Sequence, residues 1–348
     1  MDLLSKLEDG AILSRPEAET VMEELLSGRM DTPAIVRLLL SLNLRPLTAH
    51  ELSGFARIMR KHAAPVFAPG DPQPANMVDT CGTGGDSSGT FNISTAAAIV
   101  AAAAGARVAK HGNRSVSSLC GSADVLEALG VHIDLPLHEA GRAIRDVGIG
   151  FLFAPAAHSA TRHAVPARKQ IGKRTVFNFL GPLTNPAAAD TQVLGVFSPE
   201  VLTLVAETLA ELGITRAFVL HGGGGLDELS LSGETQIVEV RGPSITSFTV
   251  SPADFGLHPA PFEALRGGTP VENAALIREI FQGQPGPPRD IVVMNAAAAL
   301  VVTGIAESFL EGAQIADRAI FSGAALAKLE QLIQFSNARK HQSSNSER

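Results

Sequence analysis

The sequence predicts an α/β protein in which a small helical domain precedes a larger domain with a central, mostly parallel sheet. Three observations predict it. Residues 1–64 carry only helical periodicity, a Pro/Gly-rich stretch at 65–74 interrupts it, and from residue 77 short β-branched runs alternate with Ala-rich helical runs. Alternation of that kind builds parallel strands joined by helical crossovers that cover the sheet.

In the first block, Ser14 caps a helical run from Pro16 that stops at Gly28, a second run spans 32–42, and a third begins at Thr48. Beyond the linker, strands are expected at 77–81, 107–109, 149–153, 192–197 and 217–221. Helices are expected at 94–104, 122–129, 137–147, 158–172 and 199–212. Segments 236–241 and 245–250, joined by Gly242-Pro243-Ser244, read as an antiparallel pair at the sheet edge. Helices follow from Val271 to about Phe335, and the polar, serine-containing end reads as a flexible tail. The expected division is a helical domain over 1–70, an α/β domain over 76–335 and a tail over 336–348.

Composition narrows the function. The chain has 348 residues, 45% hydrophobic and 18% charged, which suits a globular protein with sizeable cores. It contains neither Trp nor Tyr, and its formal net charge is −7. Few stacking platforms and an acidic balance argue against a nucleic-acid partner. Cys81 and Cys120 are too few for a disulfide framework and lack metal-ligand spacing, which fits a reduced cytoplasmic setting. Asp2, Lys6, Glu8 and Asp9 spoil any signal-peptide pattern. The apolar stretch 291–306 is short and contains Asn295, so it reads as a core helix and no membrane partner is expected.

The chemistry concentrates in three glycine loops. The first, Gly82-Thr-Gly84-Gly85-Asp86-Ser87, is neither a dinucleotide fingerprint, which needs Gly in its last place, nor a P-loop, which needs Gly-Lys-Ser/Thr. It shares their physics: glycines let backbone N–H groups approach an anion, and the helix beginning near Ser94 points its positive end at it. Asn92, Ser94 and Thr95 add side-chain donors. Alone, such a loop is as consistent with a turn that binds nothing. The second loop brackets His111, Gly112 and Asn113 with Lys110 and Arg114, followed by Ser115, Ser117 and Ser118, and Gly121-Ser122-Ala123-Asp124 opens another helix. The repeated strand–loop–helix design favours one ligand with phosphate at more than one point. The third, ending in Asp227-Glu228, presents adjacent carboxylates. They suit either an acidic helix cap or Mg²⁺, which takes few carboxylates and completes its shell with water and phosphate.

These motifs, together with 176–186 (Val-Phe-Asn-Phe-Leu-Gly-Pro-Leu-Thr-Asn-Pro) and 225–230, resemble the anthranilate phosphoribosyltransferase family over nearly the whole chain. The resemblance implies a nucleoside phosphorylase/phosphoribosyltransferase-like fold, with a segment near 165–190 returning to the helical domain, and a homodimer formed through that domain. It implies transfer of phosphoribosyl from phosphoribosyl pyrophosphate (PRPP) to the amine of anthranilate, a step of tryptophan biosynthesis. By position, Gly82, Gly85, Asp86, Thr90, Asn92, Ser94, Thr95, Lys110, Asn113, Arg114, Ser117, Ser118 and Ser122 would contact PRPP. Ser94, Asp227 and Glu228 would hold two Mg²⁺ per subunit, and Lys110, Asp227 and Glu228 would carry catalysis. Gly82, Asn113, His158 and Arg168 would line the anthranilate path. Arg45-Pro46-Leu47, Ser159 and Thr161 depart from the family's usual residues, which bears on the fit of the aromatic substrate. Competing readings are a pyrimidine nucleoside phosphorylase-like enzyme and a non-catalytic paralogue that binds nucleic acid; the retained Asp227-Glu228 pair and the acidic charge weigh against both.

Overall fold

The computed structural model describes residues 3–84, 88–115 and 119–346. Four helices open the chain: α1 (Leu3–Glu8), α2 (Arg15–Leu26), α3 (Thr32–Asn43) and α4 (Ala49–Lys61). Their starts follow from local chemistry. Glu17 accepts from the Ser14 amide at 2.8 Å, Asp31 accepts from the Ala34 amide at 2.9 Å, and Thr48 and Glu51 form a reciprocal capping box. Glu51 is fully buried; it also accepts from the Leu13 amide and pairs with Arg45, so one carboxylate fastens the α1–α2 connection to the start of α4.

The remainder runs β1 (Met77–Gly82), α5 (Ile93–Ala103), β2 (Arg107–Gly112), α6 (Ser122–Leu129), α7 (Leu137–Asp146), β3 (Ile149–Phe153), α8 (Ala154–Ala157), α9 (Val165–Ile171), α10 (Phe177–Leu183), β4 (Thr191–Gly195), α11 (Leu202–Glu211), β5 (Arg216–Gly222), β6 (Thr235–Arg241), β7 (Ser244–Val250), α12 (Pro270–Phe281), α13 (Pro287–Val302), α14 (Phe309–Phe321) and α15 (Ala324–Ser346). The single helix expected over 158–172 is instead a 3-10 turn over Ser159–Ala164 followed by α9, with the short α8 ending just before it. His158, at φ −121° and ψ 51°, leaves helical geometry, and Pro166 opens the next helix. The backbone of α15 is helical to Ser346, through most of the segment that the sequence marks as a tail.

The seven strands lie in the order β3-β2-β1-β4-β5-β6-β7. The first five are parallel, and β6 and β7 add antiparallel at one edge. Alternation along β5 divides the cores: Phe218 and Leu220 face a core shared with α5, α12 and α13, while Ala217 and Val219 face one shared with α2, α3, α4 and α11. Helix α13 is buried on every side from Ile291 to Val302, and no helix among the described residues is long and apolar enough to cross a membrane. Helices α9 and α10 pack on α3 and α4, so a late stretch of the chain completes the helical layer.

The strand order reverses between β1 and β4, and an open α/β sheet forms its ligand crevice at the carboxyl ends there. Beside it, β1 and β2 pair only at Met77–Arg107 and Val78–Val108, although β2 stays paired with β3 to Gly112. The two strands part where the first two glycine loops leave them.

Candidate active site

Gly82 and Gly195 end β1 and β4 side by side. Asp227 closes over both. Its carboxylate accepts from the Gly84 amide at 2.9 Å, a Cβ on Gly82 would overlap that carboxylate, and a Cβ on Gly195 would overlap the Asp227 carbonyl. These two glycines are required by close approach. Glu228 accepts from the Ser94 amide at 3.1 Å, so the acidic pair bridges the first loop and the start of α5. Asn295, from the buried α13, exchanges hydrogen bonds with the amide and carbonyl of Leu229 and fixes the acidic segment from below.

Asn92 is the N-cap position of α5, and its side chain donates to the Cys120 carbonyl at 3.1 Å and accepts from Asn273 at 3.0 Å. It therefore stitches the first loop to the second. Thr90 bonds to Ser88 and bridges to Arg266; Thr95 is buried with its hydroxyl unpartnered. Lys110 is buried, with Nζ donating to the Thr80 carbonyl at 2.7 Å and 3.5 Å from Ser94 Oγ. Burial lowers its pKa, while Asp79, Cys81 and Glu228 oppose that. Lys110, Ser94 and Glu228 thus converge on one point.

In the second loop, Asp124 accepts from the amides of Ser115 and Gly121 at 3.0 and 2.9 Å. Ser122 Oγ donates to the Asn113 carbonyl at 3.3 Å and lies where a Cβ on Gly112 would fall. Arg114, expected to meet phosphate, is paired here with Asp124 and Glu127 at 3.0 and 2.8 Å. The partners sit one and two helical turns into the capped helix, spacings that a loop motif does not display. Gly85, Asp86, Ser117 and Ser118 lie outside the described residues.

A cavity of about 490 Å³ opens beside these loops, between the sheet and the segment from α8 to α10. Gly82, Asn113, His158 and Arg168 all line it, as do Ser159 and Thr161; Arg45, Pro46 and Leu47 do not. Arg45 instead serves the buried Glu51. His158 meets His111 edge-on at 5.1 Å between ring centroids. Burial holds His158 at about 4, and burial plus the neighbouring His158 holds His111 at about 3, so both rings are neutral near pH 7. The Arg168 guanidinium stands 5.3 Å from the Phe177 ring centroid at the cavity wall. His111, Asp124 and Asn295 were not singled out as site residues from the sequence; only the place of His111 between Lys110 and Asn113 hinted at it.

The chain matches the glycosyl transferase family helical bundle domain over residues 1–63 and the glycosyl transferase family a/b domain over 74–326. It is 51% identical over 332 residues to the anthranilate phosphoribosyltransferase of Pelotomaculum thermopropionicum, covering 95% of each chain. The crystal structure of the Thermus thermophilus anthranilate phosphoribosyltransferase superposes with a TM-score of 0.92 at 46% identity, over 97% of this chain and 100% of that one. The Saccharomyces cerevisiae anthranilate phosphoribosyltransferase in complex with PRPP and Mg gives 0.87 at 28% identity, over 96% of this chain and 97% of that one. Two matched domains and full-length likeness agree with the geometry: the chain belongs to the anthranilate phosphoribosyltransferase family.

Proposed function

We propose that this chain transfers phosphoribosyl from PRPP to the amine of anthranilate, releasing pyrophosphate. The observation that carries this reading is Gly82: it lines the cavity that holds Asn113, His158 and Arg168, and it also touches the Asp227 carboxylate of the anion-binding loops. One crevice therefore offers an aromatic-acid pocket and a polyphosphate cradle that share a wall.

In the transfer, the amine lone pair forms the N–C1 bond as the C1–O bond to pyrophosphate breaks, and the amine then loses a proton to solvent. An aryl amine is already neutral at pH 7, so the neutral His111 and His158 need not act as bases. They offer an uncharged wall to the ring, and the planar Arg168 fork suits the carboxylate. Negative charge grows on the leaving group, which the Lys110 ammonium beside Ser94 would counter. Asp227, Glu228 and Ser94 supply two carboxylates and a hydroxyl, a hard-oxygen set too small for an all-protein cage and suited to Mg²⁺, and no group of three or more acidic, His or Cys residues forms among the described residues. They would hold two ions per subunit; bound Mg²⁺ would neutralise the pyrophosphate. The Saccharomyces cerevisiae relative in complex with PRPP and Mg supports the use of Mg²⁺.

The same reading takes the chain as a cytoplasmic homodimer joined through the helical domain. The test is loss of anthranilate fluorescence with PRPP and Mg²⁺, run beside thymidine and phosphate. Consumption of anthranilate is expected; none, or phosphorolysis of thymidine, overturns the reading. The double variant Asp227→Asn/Glu228→Gln is expected to keep its fold and lose turnover, and near-normal Mg²⁺-dependent activity in it would refute the metal assignment.

A further inference from the structure

Helix α10 forms one wall of the aromatic-acid pocket with Phe177, Asn178, Gly181 and Pro182, and Cys81 of β1 forms another beside Gly82. Side chains finish the end of that helix. Thr184 Oγ1 donates to the Leu180 carbonyl at 2.7 Å, and Arg60 Nε, reaching from α4, donates to the Leu183 carbonyl at 2.9 Å. The Pro182 carbonyl is the difficult one, because the helical donor four residues on would be Pro186, which has no N–H. Gln192 supplies the missing donor. Its Nε2 donates to the Pro182 carbonyl at 2.7 Å and to the Cys81 sulfur at 3.2 Å. A carbonyl only accepts, so the amide nitrogen faces it of necessity.

Gln192 lies on β4, 3% exposed, on the face that Leu194 and Val196 turn to the apolar core beneath the helical layer. An apolar side chain would fill that place without the cost of burying an amide. The amide is explained by what it bonds, and its two partners belong to two walls of one cavity. Gln192 itself does not line the cavity. We propose that Gln192 is a positioning residue that sets the width of the aromatic-acid pocket: its one amide group spans from β1 to α10 and fixes Pro182 against Cys81.

The kinetic consequence rests on the transfer to anthranilate argued above, whereas the hold of Gln192 on α10 does not, and two readouts separate them. Gln192→Met keeps the length of the side chain and removes the donor. Steady-state kinetics with PRPP and Mg²⁺ compare anthranilate with ring-methylated anthranilates, beside Arg168→Lys, and hydrogen exchange read by mass spectrometry follows α10 without substrate. Gln192→Met is expected to raise the KM for anthranilate about 10-fold with the KM for PRPP within about threefold, as for a buried carbonyl left unpaired. Its ratio of kcat/KM for the methylated substrates to that for anthranilate should rise about fivefold or more, whereas Arg168→Lys, which alters the carboxylate contact, leaves that ratio within about twofold. The amides of α10 should exchange about 10-fold faster while those of α13 keep the parent's rates. A parental ratio in Gln192→Met, or equal rises in both KM values, overturns the proposal. Should Gln192→Met fail to fold, Gln192→Asn, with its donor one methylene short, decides: the same shift in ratio supports the proposal, and a parental ratio or a second failure to fold overturns it. A parent that leaves anthranilate unconsumed refutes the reaction; faster exchange in α10 of the variant then still supports the placement of that wall by Gln192, and parental exchange overturns it.

Discussion

The stability of this protein should fall on mild acidification, and the buried pair His111–His158 sets how far. Both rings are held neutral, at about 3 and about 4, whereas in the unfolded chain each titrates near 6.5. Their folded values are depressed. Stability is therefore full above pH 6.5 and is lost as pH falls, because the unfolded state takes up protons that the native state refuses. At pH 5 each ring contributes a loss of about 2 kcal/mol relative to pH 8, or about 4 kcal/mol for the pair. Asp79 opposes this in part, since burial raises it to about 6 and its protonation favours the fold in the same window. His158→Gln isolates the effect by deleting one titration from both states. Thermal melting at pH 8 and pH 5 should show that the variant loses about 2 kcal/mol less than the parent, about 3 °C for a chain of this size. Equal losses in the two proteins would refute the premise that His158 is neutral because it is buried.

Gly195→Ala should lower kcat/KM by about 100-fold or more, because the new methyl displaces the Asp227 backbone and with it the carboxylate above Gly82; steady-state kinetics checks it. Arg168→Ala should raise the KM for anthranilate by about 10–100-fold and leave that for PRPP nearly unchanged, with Arg168→Lys between, as expected for loss of a charge-assisted carboxylate contact. Glu51→Ala should cost about 3–5 kcal/mol in denaturant unfolding, since it strands the half-buried Arg45 and frees the Leu13 and Thr48 amides. A loss below about 1 kcal/mol would place that pair among weak surface bridges.

Much of the fold was legible because its signals are local. Caps at Ser14, Asp31 and Thr48 mark helix starts within a turn, and glycine loops after β-branched runs mark the crossovers. The antiparallel edge was legible from Gly242-Pro243-Ser244 in the same way. The candidate site was legible as two sets of residues, those expected to cradle an anion and those expected to line the path of an aromatic acid. What joins them was not. Asp79, Asp124 and Asn295 act on partners brought near by the sheet and by α13, and nothing in their own neighbourhoods distinguishes them from ordinary core or cap residues. The pairs that Arg114 makes with Asp124 and Glu127 were not legible either, since these become its neighbours only once α6 is wound. Arg45-Pro46-Leu47, expected to bear on the fit of the aromatic substrate, does not line the cavity, and Arg45 pairs with the buried Glu51.

The helical layer has a consequence for biosynthesis. Leu25, Leu38 and Phe55, from α2, α3 and α4, share their core with Ala167, Leu180 and Leu209, so the first helices to leave the ribosome cannot bury their apolar faces with what precedes them. They wait for roughly 150 further residues to reach the end of α11, on the order of ten seconds at ~5–20 residues per second. During that interval the apolar faces of the amino-terminal helices are only partly covered, and it is the arrival of α9, α10 and α11 that completes their core.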